Sequence, residues 1–463
     1  MQIAFVSHIF YRILHGITSQ NFFAPFIFSK LVYNGGSERV NQMIKSIELA
    51  PGVTLRAMQT DKFKTACFSV NFLRPHCRQT AAPDALLPSV LLRATERYPD
   101  IRSISMHLDE LYGTSFGTLV RRKGEVKLTG FYADFIDDAY LPEGEGVFAA
   151  VTDFLREVLY HPQTENGCFC AKNVEGEKQN LTNAIESDLN DKRAYATARM
   201  LETMCAGEPY GTPRLGYAED VRGITPQSLW AHYKTVLDTS KIEIFYAGRH
   251  APEEAAKQFA KVFSDRRGDA FAPVQTLVRR EAAQVREVSE AMDVTQGKLV
   301  IGLRTGITVS DPDYPALLLL NAVYGGSVTS KLFRNVREKR SLCYYAGASL
   351  EKYKGLMLVS SGIAFENYET AKQAILQELD ACKNGAFTDE EIDRARRFVV
   401  FALRSTMDSP ARLDEFYIGS AVARGDDIPE LIEQLNALTA EDLRLAAQKL
   451  SVDTIYFLKG ENA

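Results

Sequence analysis

Ile224-Thr225-Pro226-Gln227-Ser228-Leu229 opens a helical stretch that leads to Ile242-Glu243-Ile244-Phe245-Tyr246-Ala247-Gly248. Leu438-Thr439-Ala440-Glu441-Asp442-Leu443 leads in the same way to Thr454-Ile455-Tyr456-Phe457-Leu458-Lys459-Gly460. Each Thr suits a helix N-cap, because its hydroxyl can accept from a free amide of the first turn. Each following run mixes β-branched and aromatic residues and stops at Gly, as strands do. Thr225 and Thr439 are 214 residues apart, and the same offset links Glu177 to Glu391. Those acids lie in long helical stretches, 174–200 and 389–407. A hairpin pattern also recurs. Residues 115–120, 121–124 and 125–132 compare with 345–350, 351–355 and 356–363 as strand, turn and strand. Repetition on this scale predicts a duplicated supersecondary unit. The fold expected is α+β with two homologous α/β halves. Each is a mixed, largely antiparallel sheet with helices on one sheet face. Residues 44–268 form the first half and 285–463 the second. Residues 269–284 join them, within a run (266–283) of Arg, Gly, Asp, Pro and Gln that lacks a period and reads as linker.

The 463 residues are 46% hydrophobic and 24% charged, enough apolar surface for more than one core. With 54 Lys and Arg against 59 Asp and Glu, no basic excess marks a nucleic-acid footprint. Seven Cys are too few for a disulfide scaffold, which places the chain in a reducing cytosol. They form no zinc pattern and read as small apolar residues. No apolar run is long enough to span a membrane. Residues 1–43 read as an extension. Eight aromatics and no acid precede Glu38, and the run lacks the basic start of a signal peptide. A misassigned start, with Val40 or Met43 as the true one, accounts for it.

The second half contains Tyr324-Gly325-Gly326-Ser327-Val328-Thr329-Ser330-Lys331-Leu332-Phe333, then Arg337-Glu338 and, seven residues after the Arg, Tyr344. The first half has Tyr210-Gly211-Thr212-Pro213, Leu215-Gly216 and the Ile224-Thr225-Pro226 helix start. This ordered set, with the duplication, resembles the insulinase/pitrilysin metallopeptidase family over about residues 60–460. The family's zinc site is His-x-x-Glu-His on a helix plus a distant Glu. Two His at i and i+4 share one helical face and one Zn²⁺, and the Glu activates the bound water.

This chain departs from that site. None of its seven His is four residues from another. Ala94-Thr95-Glu96-Arg97-Tyr98-Pro99 resembles the family's Gly-Thr-x-x-Tyr-Pro. Counting back from it puts Ala85, Pro88 and Ser89 at the zinc motif. The third ligand is a Glu seven residues after an earlier one. Glu177 fits the earlier position, and Ala184 stands seven on. His107-Leu108-Asp109-Glu110-Leu111 is a decoy, since a Leu stands where the second His belongs.

The resemblance implies that Arg337 and Tyr344 bind substrate and stabilise a developing oxyanion in the zinc site of another subunit. The alternative is a surface helix Arg and a core Tyr. Gly325 and Gly326 form either a backbone turn near substrate or a tight turn between helices. Residues 112–121, with Gly113 at their start, match a family edge strand that pairs with extended peptide. The alternative is a strand covered by its own chain.

Two readings follow. The first is a non-catalytic subunit, with no cofactor of its own, paired with a zinc-bearing relative around a peptide chamber. Leu-Pro at the lost motif and the Arg93–Pro99 run are similar to a zinc-motif-less subgroup associated with aminopentanol modification of translation elongation factor P. The second is a pure scaffold or binding protein of the same fold. An unrelated activity on the cysteines or acidic helices has no support beyond those residues being present.

Overall fold

The computed structural model describes residues 44–461 apart from 144, 189 and 265–274. The expectations for 1–43 and for part of the linker lie outside them. The first half begins with strands β1 (Lys45–Ala50), β2 (Val53–Gln59) and β3 (Thr65–Pro75). Helices α1 (Arg78–Leu91) and α2 (Ile101–Glu110) precede the hairpin β4 (Ser115–Lys123) and β5 (Val126–Ile136). Next come α3 (Val147–Tyr160), the short β6 (Thr164–Glu165) and β7 (Cys168–Phe169), then α4 (Ala171–Ser187) and α5 (Lys192–Met204). The half closes with α6 (Ala218–Arg222), α7 (Pro226–Thr239), β8 (Lys241–Gly248) and α8 (Pro252–Val262).

The second half contains β9 (Arg286–Met292), β10 (Gly297–Arg304) and α9 (Tyr314–Asn321). Two π-helical segments, Ala322–Gly326 and Leu332–Lys339, lead to the hairpin β11 (Cys343–Glu351) and β12 (Leu356–Ile363). Helices α10 (Tyr368–Lys383), α11 (Asp389–Thr406), α12 (Pro410–Tyr417), α13 (Ile428–Ala437) and α14 (Ala440–Gln448) precede β13 (Ser451–Gly460).

The first sheet runs β1-β2-β8-β3-β5-β4 and the second β9-β13-β10-β12-β11. Without β1, the two orders correspond strand for strand. The β2–β8 and β9–β13 pairs are parallel, and the other neighbours are antiparallel. Thr225 and Thr439 both cap their helices, each accepting from the third amide of the first turn. Each hairpin turns at a left-handed glycine, Gly124 (φ +58°) and Gly355 (φ +69°). β4 runs on to Lys123, so the turn is shorter than the 121–124 expected.

The expectation of helices on one sheet face needs correction. On one face each half packs its own helices into an apolar core. On the other, the two halves exchange a helix. Ala196, Met200 and Met204 of α5 pack on Val300, Leu358, Tyr456 and Leu458 of the second sheet. Leu413 of α12 and Ile418 pack on Cys67, Leu128, Tyr132 and Phe245 of the first. A Cβ on Gly302 would lie 2.5 Å from the Met204 sulfur, so its absence lets α5 rest on β10. The single helix expected over 174–200 is broken at the crossing. α4 ends at Ser187, and the Asp191 side chain caps α5 by accepting from the Arg193 and Ala194 amides.

Ionic contacts fix the exchange. On α12, Asp414 accepts from Ser69 and from Arg121 (2.5 Å), and Glu415 pairs with Lys123. Burial raises the Glu415 pKa, but Lys123 and Arg121 outweigh it and hold it near about 2. Fully buried Lys354, at the second hairpin's tip, pairs with Glu125 of the first hairpin (2.6 Å) and with Glu208 (2.7 Å). Arg304 joins Glu208 (3.0 Å) to Asp453 (2.8 Å). Where the linker is described again, Leu277 donates to Glu125 and accepts from Lys354. The described residues form one compact unit.

Candidate functional site

Helices α1 and α4 pack against each other, as a ligand set shared between them requires. The positions aligned with the ligands carry no metal chemistry. Ala85 lies in the apolar core of the first half, Pro88 is buried, Ser89 follows half-buried, and Ala184 is a half-buried methyl on α4. Among the described residues no group of three His, Cys, Asp or Glu could hold a metal ion. An ion pair bridges the helices instead. Arg93, just past α1, donates to Glu177 (3.0 Å), whose other oxygen accepts from Asn180 (3.1 Å). The residues present therefore do not fit zinc.

Sequence reasoning missed a buried polar cluster behind α1. Asp84, next to Ala85, meets Arg74 (3.5 Å) and His232 (2.8 Å). His76 bonds the Thr212 carbonyl (3.0 Å), and burial followed by the Arg122 charge lowers its pKa to about 4. Lys127 bonds the Arg214 carbonyl, and burial lowers its pKa to about 7. Arg122 donates to the Tyr210 and Thr212 carbonyls. The Tyr210–Gly216 motif is thus a loop whose carbonyls receive these cations. Gly216 lets it approach α1, since a Cβ there would lie 2.8 Å from the Ala82 nitrogen. The available signal was Asp84, an acid inside an otherwise apolar helical run.

In the second half, Gly325 and Gly326 end the first π-helical segment, and the second carries Arg337. Such wide turns are rare and concentrate at functional sites. A Cβ on Gly325 would lie 2.7 Å from the Ala348 nitrogen, and one on Gly326 would lie 2.5 Å from the Asn321 side chain. Gly325 therefore lets the segment lie on β11. Gly113 (φ +71°) turns the chain into β4 with open space around it. The decoy His107 stacks on Tyr98 at 4.6 Å.

Arg337 sits on the second π-helical segment, its guanidinium 4.6 Å from the centre of the Phe333 ring. Ser341 takes a left-handed φ of +51° and turns the chain into β11. The register then skips between Cys343 and Tyr345, so Tyr344 is the extra residue of a β-bulge. Its side chain is 67% exposed, which excludes the core-aromatic alternative. Burial raises the Cys343 thiol pKa, and the Ser361 bond and the Arg337 charge oppose it. Arg337 and Tyr344 thus flank Cys343, and no hydrogen bond joins them among the described residues. Tyr345 turns the other way, under Arg193 of α5 (4.3 Å).

β4 and β11 are corresponding edge strands. Arg214 donates to the Val120 carbonyl (2.8 Å) and closes the far end of β4; no strand pairs along the rest of its outer side among the described residues. Asp188 feels the charge of Arg214, and Arg193 covers Tyr345. Burial raises the Asp188 pKa, Arg214 opposes the rise and Asp191 adds to it.

Comparison with known proteins places this arrangement. A family described as "Peptidase M16 inactive domain" matches residues 223–399. The "Probable inactive metalloprotease YmfF" of Bacillus subtilis is 34% identical over 410 residues, covering 88% of this chain and 96% of that one. The crystal structure of a conserved protein from Enterococcus faecalis superposes with a TM-score of 0.83 at 29% identity, covering 91% of this chain and 99% of that one. A peptidase M16 inactive domain from Pseudomonas fluorescens superposes with a TM-score of 0.74 at 18% identity, covering 90% and 98%.

Proposed function

The chain belongs to the M16 (insulinase/pitrilysin) peptidase family as an inactive homologue, and on that premise we propose that it is the non-catalytic subunit of a mixed peptidase. A zinc-bearing relative supplies the metal centre. This chain supplies chamber walls and two hydrogen-bond donors, Arg337 and Tyr344. The observation that carries this reading is Tyr344 itself. A bulge holds a large aromatic phenol out in solvent at the edge of a sheet, and the adjoining Cys343 feels the charge of Arg337, whose guanidinium lies over a ring. A tyrosine presented in this way offers an apolar ring and a hydrogen-bonding hydroxyl together, the combination enriched at interfaces.

In the complex, the substrate peptide lies extended near the edge strands. The Tyr344 hydroxyl and Arg337 donate to the carbonyl oxygen of the bond under attack, where negative charge develops. Among the described residues no group of His, Cys, Asp or Glu is assembled to hold a metal, so the metal and the general base come from the partner. The finer assignment, to elongation factor P modification in the cytosol, rests on the similarity of the Leu-Pro and Arg93–Pro99 runs to that subgroup. The seven free cysteines suit such a compartment.

The test is to co-express the chain with a His-x-x-Glu-His relative and follow peptide cleavage. Arg337→Ala or Tyr344→Phe should leave assembly intact and lower the rate by roughly 10²–10³-fold, the usual cost of an oxyanion donor. A double variant that cleaves at the wild-type rate would leave the pure scaffold as the remaining reading.

A further inference from the structure

Tyr344 lies at the end of a strongly cationic segment. Lys331, Arg334, Arg337, Lys339 and Arg340 fall within ten residues, against one acid, Glu338. The packing neutralises little of this charge. Lys331 pairs with Glu391 of α11 (3.1 Å), whose charge Arg334 also feels. On the facing side of α10, Glu378 accepts from the neutral Asn335 (2.9 Å) and Arg340 meets only the neutral Gln377 (3.1 Å). Arg337 lies on the Phe333 ring. Among the described residues, Arg337, Lys339 and Arg340 make no ion pair. Lys339 and Arg340 are exposed, and β11 begins three residues on with its outer edge unpaired by any described strand. The whole chain carries a net charge of −5, so this patch runs against the molecule's overall sign.

We infer that the ligand of this surface is an acidic peptide, bound in extended form beside β11 with its carboxylates on Lys339 and Arg340. The inference rests on the peptide-binding reading above and names its substrate class. A strand edge supplies main-chain hydrogen bonds with little demand on side chains, so side-chain selection falls to flanking charge. An unpaired cationic patch concentrates acidic ligands and repels basic ones. Guanidinium groups add paired donors that match a carboxylate.

The test uses the full chain, alone and with its co-expressed partner, and fluorescence anisotropy. Three fluorescein-labelled peptides of equal length differ only at three positions, bearing Glu, Gln or Lys. At low ionic strength the Glu peptide should bind about tenfold tighter than the Gln peptide, and the Lys peptide weakest. The margin should shrink as salt shortens the range of the charges. In Lys339→Ala/Arg340→Ala the Glu and Gln peptides should bind within about twofold of each other. In Lys339→Glu/Arg340→Glu the order should reverse, while thermal melting of both variants stays at the wild-type value. Equal binding of the Glu and Gln peptides by the wild type would overturn the acidic-substrate inference and leave the peptide-binding subunit standing. So would a preference that survives both double variants. If no peptide binds, alone or in the complex, both fall together.

Discussion

At the scale of single residues, loss of the metal site is a change of packing as well as chemistry. Ala85 is buried among apolar side chains, so an imidazole there must displace neighbours. Overpacking of this kind costs about 1–3 kcal/mol. Ala85→His/Ser89→His should therefore melt a few degrees or less below the wild type in a chain this long. It should also carry well under one zinc per chain by elemental analysis, because the third ligand and the base are still missing. A stoichiometric, chelator-resistant zinc in that variant would contradict the account. His76 gives a second prediction. It is held neutral in the fold, with a pKa lowered from 6.5 to about 4. Above pH 6.5 it is neutral in both folded and unfolded chain. As pH falls toward 4, only the unfolded chain takes up the proton, so stability is lost through that window, by about 3 kcal/mol at most. His250 works the other way, since its bond to Asp138 raises its pKa. The comparison must therefore be between variants. His76→Gln keeps a donor for Thr212, and its melting temperature should fall less between pH 6.5 and 4.5. Parallel curves would remove His76 as the cause.

At the scale of elements, Arg93 and Glu177 tie α1 to α4 where the family's active members place a metal between those helices. The pair is partly exposed on the Arg93 side, so its worth is on the order of 1 kcal/mol. Arg93→Ala should speed amide hydrogen exchange over 171–187 while the sheet stays protected. Unchanged exchange there would assign the tie to apolar packing alone. Much at this scale was legible in the sequence. Thr225 and Thr439 announced their caps, and Gly124 and Gly355 their turns. Other features were not. The bulge at Tyr344 depends on the register with β12, which no local pattern of residues 341–345 encodes. Ala196, Met200 and Met204 recur every four residues and so declare a helix face, but such a period is silent on which sheet it covers. Asp84 could be read as out of place, yet its partners Arg74 and His232 are distant in the chain.

At the scale of the whole molecule, neither half encloses its own sheet. Without α12, the first sheet presents Cys67, Leu128, Tyr132 and Phe245 to water; without α5, the second presents Val300, Leu358, Tyr456 and Leu458. Exposed apolar patches on that scale promote association. Residues 44–264 and 275–461 expressed separately should therefore be insoluble or aggregated. Co-expressed, they should co-purify as a one-to-one pair, and the intact chain should melt in a single calorimetric transition. A half that stays monomeric alone and melts cooperatively would refute this. The reciprocal crossing of α5 and α12 also bears on ancestry. A chain with only one such half could bury the same faces by domain swapping with a second copy, each lending its helix to the other. The present protein has the geometry of that homodimer fused into one polypeptide. Fusion frees the two copies from having to share one sequence, so each could take up side chains the other lacks, as the second does with the exposed Tyr344 at its sheet edge.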